Sequence, residues 1–125
     1  MSQEFDVIVL GAGTAGLVTA SGCARLGRKV ALIEREKLGG DCLWTGCVPT
    51  KALVATARLV HQMQHAEAYG LEPMTAGVTP KSVMDSMRAQ RHAIEHHDDP
   101  EKFRALGIEV IFGKATLASR SEVDV

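Results

Sequence analysis

Residues 5–16 read FDVIVLGAGTAG, an apolar, largely β-branched run that stops at glycine and passes straight into a stretch of small residues. Phe5 to Leu10 suits a strand buried on both faces. From Thr14 to Leu26, the residues Ala15, Leu17, Val18, Cys23 and Leu26 recur at helical spacing, and Gly27 followed by Arg28 and Lys29 ends the segment. Lys29 to Glu34 (KVALIE) is a second buried strand. The first 34 residues therefore predict a β-α-β unit with parallel strands and a right-handed crossover.

Between a strand and a helix, the G-x-G-x-x-G pattern of Gly11, Gly13 and Gly16 signals a dinucleotide site. Gly11 permits the tight turn out of the strand, Gly13 lets backbone approach a pyrophosphate, and Gly16 lets the helix pack closely on the sheet. A pyrophosphate would lie on the helix N-terminus, beside Thr14 and Ala15, where free N–H groups and the helix dipole favour an anion. Glu34, at the carboxyl end of the second strand, is in place to accept hydrogen bonds from ribose hydroxyls. A bare glycine turn is the alternative, and the pattern leaves NAD against FAD open.

Farther along, residues 39–51 read GGDCLWTGCVPTK. Leu38 to Pro49 has the composition of turns and reactive groups rather than of a regular element. Residues five apart on a regular helix have Cα atoms about 8.6 Å from each other, whereas a disulfide needs less than about 7 Å. Pairing of Cys42 with Cys47 therefore requires an irregular turn, which Gly46 and Pro49 permit. Cys47 then falls at a helix N-terminus, where the dipole lowers a thiol pKa.

The rest of the chain continues the alternation. A long helix is expected from Lys51 to Tyr69, with Pro49 in its first turn and Leu53, Ala57, Val60 and Ala68 available for one face. Gly70 to Thr79 reads as a loop, Pro80 to about His97 as a polar helix, and Asp99-Pro100 as the cap and start of a short helix closed by Gly107. Ile108 to Phe112 is the third strand, and Lys114 to Val125 alternates around Ser119 to Ser121 like an antiparallel hairpin. The expected fold is a three-layer, Rossmann-like α/β domain with parallel strands in the order 3-2-1.

Composition narrows the function classes. The chain has 125 residues, 46% of them apolar, as in a single globular domain, and its 14 basic against 15 acidic residues give no basic face for nucleic acid. Val7 to Leu10 is too short for a signal segment or a membrane span, which predicts a cytoplasmic protein without membrane attachment. Three cysteines in such a chain are no disulfide scaffold, so the close pair Cys42 and Cys47 points to redox or metal chemistry.

GAGTAG, Glu34 and GGDCLWTGCVPTK together resemble the amino-terminal part of the FAD-dependent pyridine nucleotide-disulfide oxidoreductases, the group of dihydrolipoamide dehydrogenase, glutathione reductase and mercuric reductase. The resemblance spans most of the chain, and its most restrictive part is the cysteine segment. It implies that Cys42 is the interchange thiol that attacks substrate and that Cys47 is the charge-transfer thiol facing a flavin. It further implies FAD contacts from Gly11, Gly13, Thr14, Ala15, Gly16, Glu34, Arg35, Gly40, Asp41 and Lys51. Ala115 joins them through Gly113-Lys114-Ala115, which resembles the family's adenine-contacting segment. NAD(P)H would be the co-substrate, a small disulfide, dithiol or metal ion the substrate, and a homodimer the complete enzyme.

Asp41 and Trp44 depart from the threonine and asparagine common in this family, and an acid beside phosphates is repelled unless it turns away or shares a cation. The same resemblance places the NAD(P)-binding domain, the dimerisation domain and the acid–base histidine–glutamate pair outside these residues. The expectation is a truncated FAD-binding domain that is inactive alone.

Two other readings compete. One is an NAD-binding Rossmann module with incidental cysteines, and the other is a zinc-binding module, although a structural zinc site wants four ligands where C-x4-C supplies two. No resident metal is expected. His61/His65 and His92/His96 read as surface histidines without a third ligand, Cys23 as a packed small residue, and Glu95, Asp98 and Asp99 as a solvated helix end. Trp44 either shields the cysteines from water or caps a pocket.

Overall fold

The computed structural model describes residues 2–125. Val7–Leu10 forms strand β1, Thr14–Arg25 helix α1 and Val30–Glu34 strand β2. The two strands run parallel, with Val7 opposite Val30 and Leu10 opposite Ile33. Val30, Ala31, Leu32 and Ile33 are all buried, which explains an uninterrupted apolar strand in place of an alternating one. Helix α1 lays Leu17 and Ala20 on the sheet, and its last turn closes through the Gly27 N–H on the Ala24 carbonyl.

Where turn residues were expected, Gly40–Trp44 forms a short helix, α2. The stretch Asp41 to Trp44 holds no helix breaker, and Gly39 (φ +98°) and Gly40 (φ +55°) absorb the left-handed entry. Helix α3 follows over Cys47–Gln64, with Pro49 in its first turn as anticipated. The long helix expected to reach Tyr69 breaks at His65, and Ala66–Tyr69 is a separate 3-10 turn. Pro49 and Ala52 are its buried residues, Leu53 and Val60 are half-buried, and Ala57 and Ala68 are exposed rather than part of the inner face.

Thr79 caps helix α4, Pro80–Glu95, by accepting the Ser82 N–H at 3.1 Å. A 3-10 turn, His96–Asp98, leads to helix α5, Pro100–Ala105, capped by Asp99 on the Glu101 N–H at 2.9 Å. Strand β3, Ile108–Phe112, pairs in parallel with β2. Thr116–Leu117 (β4) and Val123–Asp124 (β5) make the expected antiparallel hairpin.

The sheet order β1-β2-β3 is the anticipated 3-2-1 seen from the opposite edge. Helices α1 and α5 cover one face, where Val9, Leu17, Leu32, Phe103, Ile108 and Val110 form a continuous core. Burial of each such large side chain contributes roughly 1.5–3 kcal/mol. On the other face Ile8, Ala31, Ile33 and Ile111 look into a cleft of about 720 Å³ walled by Phe5 and the carboxyl-terminal hairpin. Helix α3 packs on α4. No helix among the described residues is long and apolar enough to cross a membrane.

Candidate functional site

The carboxyl ends of the three strands meet at one edge of the sheet. There the Gly11 N–H donates to the Ile33 carbonyl at 2.8 Å and the Gly113 N–H to the Glu34 carbonyl at 2.9 Å. Ligands of open parallel sheets bind at this edge. A cleft of about 460 Å³ opens here, and Gly11, Gly13, Glu34, Arg35, Gly40, Asp41 and Ala115 all line it. Seven of the anticipated cofactor residues are thereby brought together. Thr14, Ala15, Gly16 and Lys51 stand outside the lining, and Ile33, Gly113 and Lys114 complete it.

The floor of the cleft is bare backbone. A Cβ on Gly40 would sit 2.7 Å from the Cα of Gly13, so the glycine loop and the cysteine segment touch through main chain. Gly16 lets helix α1 come close to the end of β1 as expected: its Cβ would fall inside the Gly11 carbonyl oxygen and lie 3.4 Å from the Val9 side chain. Its absence of a side chain closes the turn itself.

Helix α1 starts at Thr14 with Gly13 as its N-cap, no side-chain cap and no acid in its first turn. Its first amides are therefore free to meet an anion. Glu34 is already engaged with protein: Oε2 accepts the Ala12 N–H at 2.7 Å and Oε1 the Glu36 N–H at 2.9 Å. A carboxylate has further lone pairs, so ribose hydroxyls can be accepted as well. The Ala12 carbonyl in turn accepts the Gly39 N–H at 2.8 Å. Ala12 and Gly39 escaped sequence reading because both act through main chain, which carries no side-chain signal.

The chain between the cysteines is closed by a turn wider than a helical one. The Asp41 carbonyl accepts both the Thr45 N–H at 3.0 Å and the Gly46 N–H at 2.5 Å. The second bond closes a wider ring than a helical one, bringing together residues five apart. Gly46 is required there, since its Cβ would lie 2.8 Å from that same carbonyl oxygen. Cys42 is half-buried and Cys47 exposed.

A hydrogen bond that the Cys47 thiol donates to the Cys42 sulfur and the charge of Cys42 push the Cys47 thiol above its ordinary pKa, with desolvation adding to the rise. Its helix-terminal backbone N–H and the Lys51 ammonium pull the other way. The expected low pKa of Cys47 is therefore corrected for the dithiol: the dipole acts as anticipated but the neighbouring sulfur outweighs it.

Comparison with known proteins gives the family. The family described as pyridine nucleotide-disulphide oxidoreductase matches residues 5–124. The chain belongs to that family. Among its relatives, a dihydrolipoyl dehydrogenase of Chlamydia trachomatis is 35% identical over 132 residues, covering 100% of this chain and 27% of that protein. Another from Rhizobium etli is 35% identical over 127 residues, covering 100% of this chain and 26% of the relative. One from Zymomonas mobilis is 56% identical over 71 residues, 57% of this chain and 15% of its own length. The chain thus spans between 15% and 27% of these relatives. Members of this oxidoreductase family are flavoproteins that use FAD with a nicotinamide nucleotide.

Proposed function

We propose that residues 1–125 are the FAD-binding and dithiol-bearing part of a flavoprotein that interconverts a small dithiol and its disulfide. The observation that carries this reading is the closed Asp41–Gly46 turn, which folds the cysteine segment back on itself next to a cleft that Gly40 and Asp41 line. The names of the relatives favour a dihydrolipoyl group over a metal ion as substrate. The complete enzyme is proposed to be a cytoplasmic homodimer with separate NAD(P)-binding and dimerisation domains. The 125 residues alone would turn over nothing.

In this reading Gly11, Gly13, Thr14, Ala15 and Gly16 present backbone to the FAD pyrophosphate, Glu34 accepts from the ribose, and Arg35, Gly40, Asp41 and Ala115 complete the walls. Lys51 would approach the reactive ring when FAD is bound. FAD, when bound, supplies the two-electron relay between the nicotinamide and the dithiol. The chain's own chemistry is thiol exchange. The Cys42 thiolate attacks one sulfur of a substrate disulfide, forming a mixed disulfide and releasing the other sulfur as a thiolate that takes up a proton. Cys47, as thiolate, then attacks the Cys42 sulfur, closing the Cys42–Cys47 disulfide and releasing the second substrate thiol. The substrate gains two electrons and two protons, both from the dithiol; the reverse sequence oxidises a dihydrolipoyl group. Lys51 and the α3 amide act to lower the Cys47 pKa and so favour its thiolate.

The test is dihydrolipoamide oxidation coupled to NAD+ reduction by the complete, FAD-loaded protein. Cys42→Ser and Cys47→Ser should each abolish turnover and retain FAD. Wild-type turnover in either variant, or a protein that cannot be loaded with FAD, overturns the reading.

A further inference from the structure

Trp44 is the one tryptophan of the chain, and it ends the short helix that carries Cys42. Its indole N–H donates to the Leu38 carbonyl at 2.8 Å. Lys37 Nζ lies 4.5 Å and Arg91 Cζ 5.1 Å from the ring centroid. Arg91 belongs to α4, so the indole–guanidinium contact joins two helices that are remote in sequence. Arg91 Nε is buried and, among the described residues, is the one buried side-chain nitrogen or oxygen without a hydrogen-bond partner. The guanidinium leans on an aromatic ring instead of on an acid.

Helix α2 has five residues, too few to hold itself together in water. Leu43 anchors it on one side, being buried, and Trp44 anchors it on the side of α4. The two clefts that Trp44 walls include neither cysteine, so the indole acts on the α4 side of the helix and not as a cover over the sulfurs.

We propose that Trp44, gripped by Arg91, is a positioning residue for the dithiol: it pins the end of α2 to α4 and so holds Cys42 within reach of Cys47. This rests on the reading of the two cysteines as a redox pair. A pre-positioned pair closes to a disulfide more readily than a loosely held one, because less freedom is lost on closure.

The experiment equilibrates the complete flavoprotein with glutathione and glutathione disulfide, traps remaining thiols by alkylation, and counts the Cys42–Cys47 disulfide by mass spectrometry. In the exchange, two protein thiols and one glutathione disulfide become one protein disulfide and two glutathione thiols. Trp44→Ala should lower the equilibrium constant for closure about tenfold. Arg91→Met should lower it about threefold, the loss of one cation–π contact, and Arg91→Lys should restore most of it. FAD content should not change in any variant. Closure within twofold of wild type in Arg91→Met and Trp44→Ala overturns the proposal. Should Trp44→Ala not fold, Trp44→Phe and Arg91→Met decide: Arg91→Met falling below Trp44→Phe supports the grip, and wild-type closure in both overturns it. A wild-type protein that closes its disulfide as expected but never couples it to NAD(P)H refutes the enzymatic reading while leaving this one standing.

Discussion

The carboxylate of Glu34 accepts the backbone N–H of Ala12 at 2.7 Å, tying the end of β2 to the glycine loop after β1. Ala12 is fully buried, so this bond satisfies an amide that water cannot reach. A residue expected to recognise a ribose thus also shapes the loop that receives the pyrophosphate. Glu34→Gln can place one oxygen toward Ala12 but turns an NH2 group toward the Glu36 N–H. Loss of a charge-assisted bond predicts a stability decrease of about 1–3 kcal/mol by urea unfolding without added nucleotide. An unchanged unfolding midpoint, with only FAD affinity reduced, would limit Glu34 to ligand recognition.

The Gly13–Gly40 contact gives a second expectation. Gly40→Ala places a Cβ 2.7 Å from the Gly13 Cα at a φ of +55°, so the loop and α2 must separate. A loss of about 1–3 kcal/mol and weakened FAD binding are expected. Gly22→Ala in α1 is the control, since nothing lies within 4 Å of its Cβ; it should stabilise by about 0.5–1 kcal/mol through helix propensity. Thermal melts of both variants check the pair, and equal effects would contradict the contact.

The elements whose signal is local were legible in the sequence. Phe5 to Glu34 announced a parallel β-α-β unit because buried strands and a glycine-bounded helix have distinct spacings, and the cysteine segment announced itself through reactive residue types. Helix α2 was hidden because two glycines, which mark turns statistically, here supply the left-handed entry to a helix. The break at His65 was hidden too, since nothing in the residue types around it distinguishes a stop from a continuation. Ala12, Gly39 and the Trp44–Arg91 contact lie beyond local reading: the first two act through main chain, and the third exists only after folding brings α4 to α2.

Asp98 provides a pH test on a group that lies against Gly39, at the start of the cysteine segment. Burial raises its pKa above the ordinary aspartate value, against opposing pulls from His97 and Lys102. A carboxyl raised by folding favours the protonated form in the folded state. Its stabilising contribution is therefore complete at acid pH, below its unfolded pKa, and is lost as pH rises through the folded one. Asp98→Asn should raise the melting temperature slightly at pH 7, reflecting a gain in stability of about 0.5 kcal/mol or less after solvent screening. The gain should vanish below the ordinary carboxylate range. A destabilised variant at pH 7 would mean that the ionised Asp98 is held by its cationic neighbours more than it is penalised by burial.

The last expectation concerns Cys47. Its raised pKa in the dithiol comes first from the Cys42 hydrogen bond and then from the Cys42 charge, while the α3 backbone amide and Lys51 act in the opposite sense. Replacing Cys42 by alanine removes both leading causes and keeps both opposing ones. The pH midpoint for Cys47 alkylation should therefore move down in Cys42→Ala, giving a reactive thiolate nearer neutrality. Adding Lys51→Met to that variant should move the midpoint partway back up, since the ammonium is lost but the helix terminus remains. The same logic orders the exchange steps: Cys47 is held in its protonated form while Cys42 is the thiolate, and both raising causes are lost once Cys42 is tied up in a mixed disulfide, when an attacking thiolate is needed. Iodoacetamide rates across pH 5 to 10, roughly bracketing the free-thiol range, measure both shifts. A midpoint that rises in Cys42→Ala would mean that the helix terminus and Lys51 do not act on Cys47 as the geometry indicates.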